Sequence, residues 1–179
     1  MIRLVEGDVV SESADALLVP IDGTFIPRAD RIDRVLGNIG RQFVRRFPEA
    51  ALLEEIEAQV DFPMALGAVA PVELSEPPFR LAIVVSSLHH ADQLDTTSKR
   101  ATVRSCFARA LAIAEREGVA VLASPVLQGG WRLSPEVAFA EMIHAHRLKP
   151  ASKVEVRVCC IEPALASRLR GIASSLGAR

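Results

Sequence analysis

The residues placed for chemistry in this chain fall mostly at the ends of apolar runs. Asp8 follows the first run, in Gly7-Asp8-Val9, and Asp22 follows the second, Ala14 to Ile21. The densest signal is the stretch Val119-Ala120-Val121-Leu122-Ala123-Ser124-Pro125-Val126-Leu127-Gln128-Gly129-Gly130-Trp131-Arg132-Leu133-Ser134-Pro135. It opens as an apolar run continuous enough for a strand buried on both faces, and a glycine pair follows. Ser134-Pro135-Glu136 then reads as N-cap, first helical residue and first-turn acid. Strand, glycine turn and helix start together place backbone N–H groups where they can face an anion. Trp131, the one tryptophan, stands beside the glycines where a ring could cover a bound molecule.

Each of these residues also has a plainer reading. Asp8 and Asp22 are strand-end carboxylates, and such residues often cap the turn that follows. Asp22 could act as a general base, yet no partner acid or nucleophile is identifiable, which favours binding over catalysis. His89-His90 with Asp92 is a weak metal signal: adjacent histidines on extended backbone diverge, and no second cluster has ligand spacing. His144 and His146 lie roughly 200° apart around a helix, so they cannot share a metal. Cys106 falls near the apolar face of its helix and reads as a core residue. Arg28, Arg31, Arg34, Arg41, Arg45 and Arg46 form the densest basic run. Asp30 and Asp33 interleave with its first half, so it reads as a solvated face and no nucleic-acid partner is expected.

The elements that must position these residues are legible from apolar spacing. Strands are expected over Ile2 to Val10, Ala14 to Ile21, Leu66 to Leu74, Phe79 to Leu88, the run from Val119, and Val154 to Ile161. After Pro27 one helix is expected, with Ile32, Val35, Leu36, Ile39, Phe43 and Phe47 at 3–4 spacing. Gly37 and Gly40 each lower its propensity by about 1 kcal/mol relative to alanine, a sign of either close packing or a break. Pro48 restarts a second helix through Leu52, Leu53 and Ile56. Further helices run from an N-cap around Asp95 to Ser98 as far as Gly118, from Pro135 to Leu148, and from Pro163 to Gly177. Two opening strands followed by strands alternating with helices argue for a three-layer α/β/α sandwich around a mixed, mostly parallel sheet.

The 179 residues suit one domain, residues 1–179, with a single sizeable core. Half the residues are hydrophobic, and a net charge of -1 gives no reason to expect nucleic acid or an anionic membrane. No apolar run approaches the roughly 20 residues of a membrane span. Charges at Arg3, Glu6 and Asp8 break any signal-peptide core. Cys106, Cys159 and Cys160 form neither a disulfide framework nor a metal motif, which fits a reducing cytoplasm. No cofactor or metal is implied.

The order and spacing of these motifs resemble a macro domain across nearly the whole chain. Val5-Glu6-Gly7-Asp8-Val9 is similar to that family's "GD(I/V)" strand end. Asp15-Ala16-Leu17-Leu18-Val19-Pro20-Ile21-Asp22 stands where the family has "DAIVNAAN". Leu66-Gly67-Ala68-Val69 is similar to its "G-x-A/V" third strand, and Ser124 to Pro135 stands at its phosphate loop. The resemblance implies a crevice for ADP-ribose or a related nucleotide, and some members hydrolyse ADP-ribose linkages. Carried over residue by residue, Asp8 would accept from the adenine amino group with the Val9 backbone beside it. Backbone N–H groups of Gln128, Gly129, Gly130 and Trp131 would cradle the diphosphate. Trp131 and Arg132 would lie near the phosphates or distal ribose, where a guanidinium can pair with phosphate bidentately. Asp22 and Gly23 would stand at the distal ribose.

The chain departs from the family there. Val19 and Asp22 replace the two asparagines, and a carboxylate at that point repels phosphate. A segment with one glycine and Phe25 replaces the glycine-rich first loop. Gly129 and Leu133 replace the threonine and later glycine of the second loop. The reading these residues support is a macro-type domain that binds a nucleotide-like or other anionic small molecule without turning it over. One alternative is a hydrolase of ADP-ribosyl esters or ADP-ribose phosphate using Asp22 or a loop-bound water. The other is a scaffold whose crevice is filled by Phe25, Leu133 and Trp131 and which serves oligomerisation, for instance as a homo-oligomer, or protein interaction.

Overall fold

The strand Ala16–Asp22 (β2) lies at the middle of the sheet because it has no polar face. Ala16, Leu17, Leu18 and Val19 are all fully buried. Ala16 and Leu18 join one apolar cluster, while Leu17, Val19 and Ile21 join another on the opposite face. That division is the period of two expected of a strand covered on both sides. The computed structural model describes residues 1–24, 36–89, 93–130, 133–149 and 151–177.

Five further strands complete the sheet: Ile2–Glu6 (β1), Val69–Glu73 (β3), Leu81–Leu88 (β4), Val121–Pro125 (β5) and Glu155–Cys160 (β6). Their spatial order is β1-β6-β5-β2-β4-β3. Every neighbouring pair is parallel except β3 with β4, so the sheet is mixed and mostly parallel. The edge strand β3 is capped rather than left open. The Gln59 side-chain amide donates to the Glu73 carbonyl at 2.9 Å and accepts from its N–H at 2.8 Å, as a neighbouring strand would.

Among the described residues, helices Asn38–Arg46 (α1) and Leu52–Gln59 (α2) cover one face of the sheet. Helices Thr96–Arg116 (α3), Pro135–Arg147 (α4) and Pro163–Ser175 (α5) cover the other. The caps read from sequence form as expected. Asp95 accepts from the Ser98 N–H at 2.6 Å, and that bond holds its carboxyl below the usual range. Ser134 accepts from the Val137 N–H at 3.3 Å, with Pro135 in the first turn.

Three expected elements differ most. The first strand ends at Glu6 rather than Val10, because Asp8 caps a 3₁₀ turn at Val9–Ser11. The single helix expected from Ile32 to Phe47 is broken at Leu36-Gly37. Leu36 pairs with Ile21 in an isolated bridge, Gly37 is the N-cap, and the helix proper starts at Asn38. Gly40 reflects close packing, since a Cβ there would lie 3.0 Å from the Leu36 Cβ. Ile32 and Val35 lie outside the described residues. The second helix starts at Leu52 rather than Pro48: Pro48–Ala50 is a 3₁₀ turn, and Ala51 follows in the left-handed region at φ 45°.

Candidate functional site

Five parallel strands end on the same side of the sheet, at Glu6, Asp22, Leu88, Pro125 and Cys160. After β2 the chain moves towards β4 and β3, and after β5 it moves towards β6, so the connections diverge between β5 and β2. A crevice at such a switch point is where open α/β sheets bind ligands. Here it has a volume of about 480 Å³, within the range of small-molecule sites.

Of the residues singled out from sequence, Asp8, Val9, Asp22, Gln128, Gly129 and Gly130 line this crevice. Asp8 holds the turn that forms its wall: Oδ1 accepts from the Val10 N–H at 3.2 Å. Asp22 is 2% exposed. Its Oδ1 accepts from both the Thr24 N–H at 3.0 Å and the Thr24 hydroxyl at 2.6 Å. Both carboxylates therefore act as caps while facing the cavity.

Gly129 and Gly130 take consecutive left-handed conformations, φ 60° and 65°, which an L side chain resists. A Cβ on Gly130 would also collide with the Leu88 side chain, whose Cγ would stand 3.1 Å away. Gln128 shapes the loop they belong to. Its side-chain amide donates to the Leu133 carbonyl at 2.9 Å, and its own carbonyl accepts from the Leu133 N–H at 3.2 Å. This pair of bonds closes the loop and turns Leu133 into the core. As a result the start of α4, expected to face an anion, is not among the described residues that line the crevice. The glycine pair is.

Gly23 is not on the lining either. It packs beneath it, with its carbonyl accepting from the Met64 N–H at 2.8 Å, and a Cβ there would lie 2.7 Å from the Met64 oxygen. Trp131, Arg132 and Phe25 lie outside the described residues.

Two walls were not read from sequence. One is Cys159 to Glu162 with Leu165, at the junction of β6 and α5. The other is α1, whose Asn38, Arg41 and Gln42 line the crevice. Arg41 belongs to the basic run read as a solvated face. The break at Gly37 resets the helix, so phasing α1 from Asn38 rather than from Ile32 is the signal that finds this wall. Arg41 donates to Asn38 Oδ1. The described wall residues include the acids Asp8, Asp22 and Glu162 against the cation Arg41.

His89 turns away from metal chemistry: Nε2 lies 2.9 Å from the Met64 carbonyl and 3.3 Å from the Ser86 hydroxyl. His90 and Asp92 lie outside the described residues. Among those residues no three His, Cys, Asp or Glu side chains gather to hold a metal, and no helix is long and apolar enough to cross a membrane.

An open, mostly parallel α/β sheet with a crevice at its strand ends defines the class. Within it, the fold is that of a macro domain, in divergent sequence. The chain is similar to a variant of the Oceanobacillus iheyensis macrodomain, with a TM-score of 0.78 at 14% identity over 98% of this chain and 92% of that one. It is similar to another variant of that macrodomain, solved with ADPR, with a TM-score of 0.72 at 14% identity over 99% of this chain and 94% of that one. The macrodomain of Mycobacterium tuberculosis DarG aligns with a TM-score of 0.65 at 17% identity over 89% and 97%. No family model and no curated protein matches the sequence.

Proposed function

We propose that this protein binds ADP-ribose or a related nucleotide in the strand-end crevice and does not turn it over. The observation that carries the reading is one cavity bounded by Asp8 and Val9 on one side and Gly129-Gly130 on the other. Solved structures with the same fold are described with ADPR and with ADP. Asp8 keeps one carboxylate oxygen beyond its bond to Val10 and would accept from the adenine amino group. The backbone N–H groups from Gln128 onward would meet the diphosphate, with Trp131 and Arg132 nearby. Asp22 spends one oxygen on Thr24, which supports a positioning role over that of a base.

Calorimetric titration with ADP-ribose, beside Asp8→Ala and Gly130→Glu, tests this. Saturable binding that is lost or strongly weakened in both variants is expected. Flat heats from folded wild-type protein would refute it.

One observation favours hydrolysis as a second reading: Asp22 does line the crevice. On that reading Asp22→Ala abolishes release of ADP-ribose from an ester substrate. Retention of full turnover would end it.

A further inference from the structure

A second cavity, a groove of about 360 Å³, runs along α3 and shares no described residue with the crevice. Thr97, Arg100, Ala101, Arg104 and Ala108 line it from α3, and Leu148 from just beyond α4. Leu148 is 70% exposed, unusual for a large apolar side chain. Arg100 and Arg104 share the carboxylate of Glu141, which is 0% exposed, so the groove shows solvent net positive charge. Glu141 is the one acceptor either guanidinium reaches among the described residues, and each keeps N–H donors to spare. The buried carboxylate also holds both heads in place, which lowers the ordering cost of a further contact.

The opposite pattern stands on α2. Leu52, Leu53 and Ile56 are its buried side, and Glu54, Glu57 and Ala58 form an exposed stripe at 3–4 spacing. Glu55 bonds Gln59 and Ser75, whereas Glu54 and Glu57 form no ion pair among the described residues. The lengths agree as well. The eight residues of α2 span about 12 Å, and the groove from Thr97 to Ala108 about 17 Å. Because α2 and α3 cover opposite faces of the sheet, the two patterns cannot meet within one chain.

We propose that the α3 groove docks α2 of a second copy of this chain. Glu54 and Glu57 then face Arg100 and Arg104, Ala58 meets Leu148, and the small Ala101 lets the two helices approach. The contact joins two different faces, so the copies associate head to tail. It uses no crevice residue and stands apart from the nucleotide reading.

Sedimentation velocity over a concentration series up to about 1 mM tests this. Wild type is expected to self-associate at about 10 mM salt and to dissociate at about 1 M, where the screening length falls from roughly 30 to 3 Å. The double variant Glu54→Lys, Glu57→Lys reverses the acidic stripe. Ala101→Glu puts an acid in the groove without touching the core or the Glu141 cluster. Each alone should weaken self-association more than about tenfold. Mixed together they should form a one-to-one dimer, since the first variant keeps the groove and the second keeps the acidic helix. Wild type that stays monomeric throughout overturns the proposal and leaves the groove to an acidic partner other than this chain. Undiminished association in either variant, or a mixture that stays monomeric, overturns it too. Should Ala101→Glu not fold, Leu148→Asp spoils the same groove and gives the same decision.

Discussion

Cys106 and Cys159 illustrate how burial can decide a residue's chemistry. Cys106 sits on the core-facing side of α3, and burial pushes its thiol up to about 12. Cys159 is pushed up to about 12 by burial first and by the nearby acids Glu12 and Asp8 second. At pH 8 such thiols are about one part in ten thousand thiolate, the form that reacts. The folded protein is therefore expected to leave Cys106 and Cys159 unmodified by Ellman's reagent over minutes, whereas denaturant exposes all three free cysteines at once. Mass mapping that finds Cys159, which lines the crevice, rapidly modified would overturn the raised thiol value as the source of its inertness. The residue type reveals none of this, since cysteine serves as nucleophile, ligand or small apolar filler. The helical spacing around Cys106 does point to core. By contrast Asp8 and Asp22 read equally well as caps and as crevice groups, because in the fold they are both.

The α3–α4 contact is fixed by a buried ion cluster rather than by apolar packing alone. Glu141 is 0% exposed on α4. Arg100 and Arg104, one turn apart on α3, each bond one of its oxygens at 2.6 Å. Burial opposes ionisation most strongly of any single influence, but the two guanidinium groups together hold the carboxyl below its ordinary value. Glu141→Gln is expected to cost about 2 kcal/mol at pH 7, the scale of charge-assisted bonds discounted because both arginines are half exposed. The sign with pH follows from the lowered value. The contribution is complete above the unfolded glutamate range and disappears as acid titrates through the folded carboxyl. Urea melts of the two proteins should therefore differ at pH 7 and converge at low pH; a constant gap across that range would exclude the ion cluster as its source. This cluster was invisible in sequence because its members are 37 and 41 residues apart and meet only through helix packing. Element identity was legible wherever apolar spacing and caps agreed, as for α3, α4 and α5. It was not legible at Leu36-Gly37, where the 3–4 spacing runs on through a backbone break.

At the scale of the molecule, the sheet order β1-β6-β5-β2-β4-β3 gathers five strand ends into one crevice. Three of its walls, at Gly7 to Val9, at Asp22 and at Gln128 to Gly130, could be named from sequence because each follows an apolar run. The α1 and β6–α5 walls could not, since only the crossovers bring Gln42 and Glu162 opposite them. A site assembled from the ends of β1, β2, β4, β5 and β6 exists only in the folded chain, so its ligand must stabilise the fold as a whole. With ligand at 100 times its dissociation constant, that linkage contributes about 2.7 kcal/mol. For a chain of this length that corresponds to a rise of roughly 5–10 °C in melting temperature. ADP-ribose is expected to produce this shift in wild type. In Gly130→Glu it should produce almost none, because the left-handed glycine turn is lost and a carboxylate takes the anion's place. Differential scanning calorimetry over a ligand series checks both. A shift of the same size in Gly130→Glu would put the nucleotide somewhere other than the strand-end crevice.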